Sequence, residues 1–558
     1  MQLAIGDIGE NMFGNEVVLS YTSALLFILL LLQGITKRRI YTASFSMLDM
    51  AIMLYVAYCM IHVVIIGSDF IDASDICKWG AALAVYIFVR GLSNKRIVFY
   101  VLILSGVVEA ITAIMQQTGW IVSEHLRFDV TGHLGNPGPL GGYLGICLVM
   151  SSCLLWKVFK DGKRALVVLG ISIVIILTVG IILADSRAAV VGVLSGILFL
   201  LPLRCFRFLL RWKKRTVCLG ILIVIVVGIL FYQYRPQSAD ARLLVGKVAI
   251  GMVKDSPLLG HGIGAFKWKY MLYQAHYFER HDNENEKMVA DNVGHAYNEF
   301  LHLTVEIGIV GLLITLFILG SVYIKGIMNT DFDTQVAKAS LLVWIVFSMF
   351  SYPVDVFPLL FLLPLLLGCL QQNTYMLVVP FHCFYTAFSV VLLLFAVWTF
   401  RQGIFYQETS RQLSGLSWKK NTPTLGIMDS HYLRLKSNVK FSLFYHHWLS
   451  KCASGDVATS RMKKILPTSE SYCWLGDYYC RIGYYKEAEA VYQKASLMVP
   501  TRFRPRYKLW KLYREMNDSV NATKMAQQLL SQQLKVENSF TINAKWEVQM
   551  YLDDISIE

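Results

Sequence analysis

His295-Ala-Tyr-Asn-Glu-Phe-Leu-His302 places an imidazole, an amide and a carboxylate within five residues, where the polar stretch 233–300 meets an apolar one. An imidazole near its ordinary pKa accepts a proton at neutral pH, and a neighbouring carboxylate or amide can hold its tautomer. On a helix, His295, Asn298 and Glu299 share one face and His302 lies two turns beyond His295. Such a cluster, approached by a loop long enough to fold over it, suits chemistry on a substrate carried by a lipid. A satisfied interfacial histidine is the plainer alternative.

Two arginines are the natural electrostatic partners. Asp185-Ser186-Arg187 is a three-residue link between the apolar runs 165–184 and 188–203, so Arg187 sits at the edge of an apolar phase. Ionisable residues there are costly and usually functional. A guanidinium stays charged and donates paired hydrogen bonds, which fits a diphosphate; an ion pair with Asp185 is the alternative. Arg242 stands at the base of the polar stretch and can join Arg187 on one anion. Residues 241–254 have helical periodicity and lead to Gly260-His-Gly-Ile-Gly264, which no strand precedes, so no dinucleotide fold is expected. The 233–300 stretch carries eight basic and eight acidic residues, so it is no general polyanion patch.

Asn136-Pro-Gly-Pro-Leu-Gly-Gly-Tyr143, with Thr131-Gly132 before it, is dense enough in Gly and Pro to favour tight turns. It is read either as a structural turn or as a loop lining the substrate. Gly308-Ile-Val-Gly311 continues from Glu306 into an apolar helix and is read as a site of close helix contact. There is no His-Glu-x-x-His, and Asp331-Phe-Asp333 falls on the expected cytoplasmic side, so neither a metal nor another cofactor is expected.

The elements that must hold these groups are membrane helices. The 558 residues are 55% apolar and 16% charged, with a mean hydropathy of +0.50. Spanning the hydrocarbon core takes roughly 20 apolar residues. Candidates lie at 17–35, 47–66, 78–92, 97–117, 139–156, 165–184, 188–203, 216–232, 301–324, 337–352, 357–370 and 376–400. The fold class expected is all-α, polytopic, with about twelve transmembrane helices.

The net charge of +14 gathers in short connections: Lys37-Arg38-Arg39, Lys95-Arg96, Lys157 to Arg164 and Arg204 to Arg215. Short basic loops mark the cytoplasmic side, and here they follow every odd-numbered segment. Residues 118–138, 185–187, 233–300 and the C-terminal tail are then outside the cytoplasm. Nucleic acid is not an expected partner. No cleavable leader is expected, since Asp7, Glu10 and Glu16 crowd the N-terminus. Eleven cysteines form no Cys-x-x-Cys pair and are read as packing residues.

Three parts result: a membrane domain at 1–400, its outer loop at 233–300, and a soluble helical tail at 401–558. In the tail, Leu475, Gly476, Tyr479, Gly483, Tyr485, Ala488, Tyr492, Ala495 and Pro500 follow the 34-residue tetratricopeptide pattern over 469–502. A degenerate second unit covers 503–536, and 425–468 is a candidate for another helical pair.

Taken in order, residues 120–370 resemble the O-antigen ligase-related membrane family, which includes O-antigen ligases, O-antigen polymerases and bacterial O-oligosaccharyltransferases. The resemblance rests on Asn136-Pro137, Ser186-Arg187-Ala-Ala, Arg242, Asp255-Ser-Pro-Leu-Leu-Gly-His-Gly-Ile-Gly-Ala-Phe266, and His295 with Asn298-Glu299 and Glu306-x-Gly308. In many members the histidine is followed directly by asparagine, whereas Ala296 and Tyr297 intervene here. The resemblance implies a metal-independent, inverting glycosyltransferase of a bacterial inner membrane. Its donor would be a glycan on undecaprenyl diphosphate, and its acceptor a lipid, glycan or protein hydroxyl on the periplasmic face. His295 would be catalytic, Arg187 and Arg242 would bind the diphosphate, and Asn136, Asn298 and Glu299 would support them. A polysaccharide polymerase is the nearest alternative. A transporter or flippase of lipid-linked glycan is a further one, though neither mid-bilayer charges nor internal repeats stand out.

Overall fold

The computed structural model describes residues 12–36, 42–200 (except 124 and 126), 233, 235–324, 331–370, 375–414, 423–452, 455–535 and 537–557. Apolar runs become helices because every backbone N–H and C=O is then satisfied within its own segment. In chain order these are α1 (Gly14–Thr36), α2 (Met47–Ile66), α3 (Ala73–Arg90), α4 (Arg96–Gln117), α5 (Pro137–Lys160), α6 (Arg164–Ala184) and α7 (Arg187–Leu200). The polar stretch contributes α8 (Pro236–Asp255), α9 (Ala265–Arg280) and α10 (Glu284–Val289). Apolar sequence resumes with α11 (Glu299–Ile324), α12 (Phe332–Ser348), α13 (Phe357–Cys369) and α14 (Phe381–Ser414).

Among the described residues, seven helices are long and apolar enough to cross a membrane, namely α1, α2, α4, α5, α6, α11 and α14. This is a multi-pass membrane protein. Helices α7 and α13 are shorter apolar helices, while α3 and α12 occupy the segments expected at 78–92 and 337–352. The segment expected at 216–232 and the basic groups at 37–39 and 204–215 lie outside the described residues.

The segment expected at 376–400 differs from its reading. Its start forms β2 (Tyr375–Pro380), paired antiparallel with β1 (Thr42–Ser46), the one departure from an otherwise all-helical chain among the described residues. The Val-Val pair and terminal proline of Tyr375-Met-Leu-Val-Val-Pro380 favour an edge strand over a helix. Helix α14 then continues past the expected limit at 400, because Tyr406 and Leu413 bury themselves among the tail helices.

Helix α5 is central, packed by α4, α6, α7 and α12. A Cβ on Gly141 would lie 2.5 Å from Ser186 Cβ, and one on Gly142 would lie 2.5 Å from Phe347 Cζ. Residues 132–135 do turn, with Gly132 and Gly135 at positive φ, but from Pro137 the Gly-rich run continues as a helix in close contact, where turns were expected. Asn136 caps it by accepting the Gly138 N–H at 3.0 Å, with proline in the first turn.

Connections gather at two ends. At one, Arg96 pairs with Asp333 at 2.7 Å, Lys95 donates to the Leu370 carbonyl at 3.1 Å, and Lys157 lies 4.6 Å over the Phe332 ring. Asp331 caps α12 through the Thr334 N–H, so both carboxylates of Asp331-Phe-Asp333 are engaged. At the other end lie the polar stretch, Asp185 paired with Arg235 at 2.5 Å, and the 351–356 link, where Lys267 reaches Asp355 at 3.3 Å.

The chain after α14 folds as α15 (Pro423–Leu435), α16 (Val439–Cys452) and α17 (Asp456–Met462). Two helix pairs follow, α18 (Ser469–Arg481) with α19 (Tyr485–Met498) and α20 (Phe503–Glu515) with α21 (Ser519–Ser531), before α22 (Ser539–Ile557). Gly476 lies so close to Tyr492 that a Cβ would sit 2.3 Å from its ring. This helical body and the end of α14 seat on the α2–α3 link, where Tyr406 of α14 and Asn438 both donate to Asp72, at 2.8 and 3.0 Å.

Helix α11 is broken at Gly308, with φ 70° and ψ −177°. A break in apolar surroundings frees backbone groups that need partners. The turn at 257–262 supplies them. His261 N–H donates to the Val305 carbonyl and Gly262 N–H to that of Glu306, both at 2.9 Å, and Ile309 N–H donates to the Pro257 carbonyl at 2.9 Å. Tyr58 donates to the Ile307 carbonyl at 2.6 Å, and His62 donates to that of Leu259 at 2.7 Å. Gly308 thus works as a break that admits another backbone, where a continuous helix contact was expected.

A Cβ on Gly308 would lie 2.0 Å from Leu258 O, and one on Gly260 2.5 Å from Glu306 O. Gly308→Ala and Gly260→Ala should each lower stability by about 3 kcal/mol or more. Gly246→Ala, in α8 with open space around it, should raise it by up to about 1 kcal/mol. Thermal unfolding of the purified variants checks this; equal behaviour of all three would contradict the pairing.

Candidate active site

The residues leading into α11 do not form the helix that the spacing implied. Helix α11 starts at Glu299, and the Asn298 side chain accepts the Leu301 N–H at 3.0 Å, as a helix cap does. Tyr297 takes a left-handed φ of 54° and turns the chain. His295 therefore lies on an irregular segment, and it does not share a helix face with Asn298 and Glu299. His302, on the helix, points into a different pair: its Nε2 is 3.2 Å from Glu306 Oε1 and its ring stacks on Phe266.

The irregular segment carries His295 to the link between α12 and α13. His295 Nδ1 lies 3.5 Å from Asp355 Oδ2, and its ring stacks on Tyr352 with centroids 3.8 Å apart. The edge of Tyr297 closes the site, 4.8 Å from the imidazole. The second Asp355 oxygen accepts from Lys267 of α9 at 3.3 Å. Glu299 Oε1 accepts the Val354 N–H at 2.9 Å, which ties the Asp355 turn to the start of α11.

These contacts set protonation. Burial lowers His295 below the usual histidine value, and the Asp355 carboxylate offsets part of that. The imidazole is therefore neutral at pH 7, and Asp355 at Nδ1 leaves the lone pair on Nε2. Burial alone would raise Asp355, but Lys267 and the His295 hydrogen bond hold it well below the usual carboxylate range. Asp355 in turn raises Lys267.

The arginines approach from the other side. The Arg242 guanidinium lies 5.6 Å over the Tyr297 ring, and that ring meets Tyr352 edge-on at 5.7 Å. Burial and the like charge of Arg187, which opens α7, both lower Arg242 from its ordinary value. Arg187 and Arg242 are thus within electrostatic reach of each other, and Tyr297 separates Arg242 from His295. Two guanidinium groups that feel each other's charge are suited to share a multiply charged anion.

Tyr297 links Arg242 to His295, and Arg187 is tied to this group through its charge on Arg242, while Asn136 and Asn298 serve as helix caps. Glu299 acts through the Val354 backbone. Asp355, Lys267, Tyr297 and Tyr352 escaped the reading of the sequence. A usable signal existed for Asp355, since Ser351-Tyr-Pro-Val-Asp355 is a short link carrying a charge between apolar runs, like Asp185-Ser186-Arg187. Among the described residues no three His, Cys, Asp or Glu side chains gather as a metal-holding group.

Residues 172–316 match the family model described as O-antigen ligase, a segment that includes Arg187, Arg242 and His295. No curated protein and no solved structure matches the chain.

In protein labelled at histidine, the NMR titration of His295, assigned with His295→Gln, should have its midpoint below 6.5. Asp355→Asn should lower it further, because the carboxylate that offsets burial is gone. A midpoint above 6.5, or a rise in the variant, would contradict the arrangement.

Proposed function

We propose that this chain, whose residues 172–316 match the O-antigen ligase family model, transfers a glycan from undecaprenyl diphosphate to an acceptor hydroxyl. The reaction runs without a metal on the periplasmic face of the inner membrane, and the C-terminal tail lies on that same face. What supports this reading is His295 held at Nδ1 by Asp355, with Arg242 on the far side of Tyr297 and the charge of Arg187 acting on Arg242.

His295 Nε2 takes the proton of the acceptor hydroxyl as its oxygen attacks the anomeric carbon. The bond from that carbon to the diphosphate oxygen breaks, and its electron pair leaves with the diphosphate. Attack from the face opposite the leaving group inverts the anomeric configuration. Arg187 and Arg242 stabilise the charge that grows on the leaving diphosphate, a contribution that is often the largest in such reactions. Asp355 keeps the imidazole oriented and stabilises the imidazolium that forms. The helices of the polar stretch cover the site and limit hydrolysis by water.

Purified protein should turn over a lipid-linked donor without an ion gradient, which a transporter would not do. His295→Ala should reduce turnover by about 10²–10⁴-fold, with membrane insertion unchanged. The acid limb of kcat/KM should fall below pH 6.5, since His295 is lowered and stays neutral under mildly acidic conditions. Full activity in His295→Ala would remove it from the mechanism. The same chemistry serves a polymerase, so the glycans that accumulate in a deletion strain divide the two: full-length lipid-linked chains for a ligase, single repeats for a polymerase.

A further inference from the structure

The segment that presents His295 is held on its N-terminal side by the tail. Four contacts converge on residues 290–292, three from the tail and one from α9. Lys535 donates to the Ala290 carbonyl, and Arg502 pairs with Asp291 at 3.2 Å while also holding Glu470 at 2.7 Å. Asn292 Oδ1 accepts the Ser469 N–H at 3.3 Å. Gln274 of α9 is fully buried, and its amide donates to the Asp291 carbonyl at 3.2 Å and to the Met498 carbonyl at 2.5 Å. One side chain thus joins the backbone before His295 to the end of α19.

Packing says the same. Met498 and Val499 are 0% and 1% exposed, and they belong to the apolar core formed by Leu244, Phe266, Tyr270, Ala290 and Ala296. Helix α9 packs directly on α19. That core holds residues on both sides of His295, at 290 and 296, and two of its members come from the tail. Removing the tail contacts would free one flank of an irregular segment that has no helix of its own to stiffen it.

We propose that the tail is a positioning element for the catalytic base: Arg502 and Lys535, with Gln274 of α9 bridging to Met498, clamp residues 290–292 and thereby set His295 against Asp355. This rests on His295 being the base. A tail that only docks the acceptor would affect acceptor binding, whereas a clamp affects turnover of bound substrates. Displacing a catalytic group by about 1 Å can cost about 10²-fold.

The test uses the full-length purified protein and steady-state transfer from a lipid-linked donor. Gln274→Glu keeps the shape but replaces the shared donor with an acceptor, and Arg502→Ala removes the Asp291 pair. Each should lower kcat about 10- to 100-fold, with KM for donor and acceptor within about twofold and an unshifted unfolding temperature in Arg502→Ala. Arg502→Lys should recover most of the loss, because a cation again faces Asp291 and Glu470. Should Gln274→Glu fail to fold, Lys535→Met provides the second variant. Unchanged kcat with a raised acceptor KM would overturn the clamp. Full activity of His295→Ala, measured in parallel, would instead overturn the underlying reading.

Discussion

A broken helix in apolar surroundings must find partners for its freed backbone groups, and the arrangement of this site follows from how α11 does so. The break at Gly308 is filled by the turn at 257–262, which exchanges backbone hydrogen bonds with residues 305, 306 and 309. That exchange locks the polar stretch against a helix at a single register. Helix α9 begins three residues beyond the turn, so Lys267 is carried to Asp355. Helix α11 itself begins at Glu299, whose carboxylate holds Val354 and hence the Asp355 turn. Asp355 is held in place to meet His295 because α9, which carries Lys267, and α11, which carries Glu299, are fixed against each other by that exchange. An added methyl group at Gly308 or Gly260 would collide with backbone, which cannot move aside as a side chain can.

The charges are arranged with a corresponding economy. A buried carboxylate is expensive unless paired, and Asp355 is shared between a lysine and the imidazole. Its negative charge keeps Lys267 protonated while giving His295 a partner for the proton it gains. The arginines stand apart from this group, with Tyr297 between Arg242 and the imidazole. Positive charge is thus available for an anion without directly raising the cost of protonating His295, beyond the part already due to Lys267 and His302.

Much of this was legible in the chain, and the rest was hidden for definable reasons. Apolar runs located the membrane helices because the bilayer permits few other structures, and the short charged link at 185–187 singles out Arg187 as a candidate. His295 stood out through its place at the end of the polar stretch. Its geometry did not, because helical spacing was extended through Asn298, a residue that caps helices as readily as it lines sites, and through Tyr297, whose left-handed backbone no pattern announces. Gly308, among apolar neighbours, has the pattern of a packing glycine; only the facing turn reveals that it breaks the helix. The strand at 375–380 lost to an apolar count, and Asp355 was missed because a lone aspartate between helices resembles an ordinary link.

The most direct measurement is a cryo-electron microscopy structure with a non-reactive analogue of the lipid-linked donor bound. The diphosphate should lie between Arg187 and Arg242, with the anomeric carbon on the side of the His295 imidazole and Asp355 still at its Nδ1. A diphosphate bound elsewhere, or bound with His295 turned away from the sugar, would contradict the proposed mechanism.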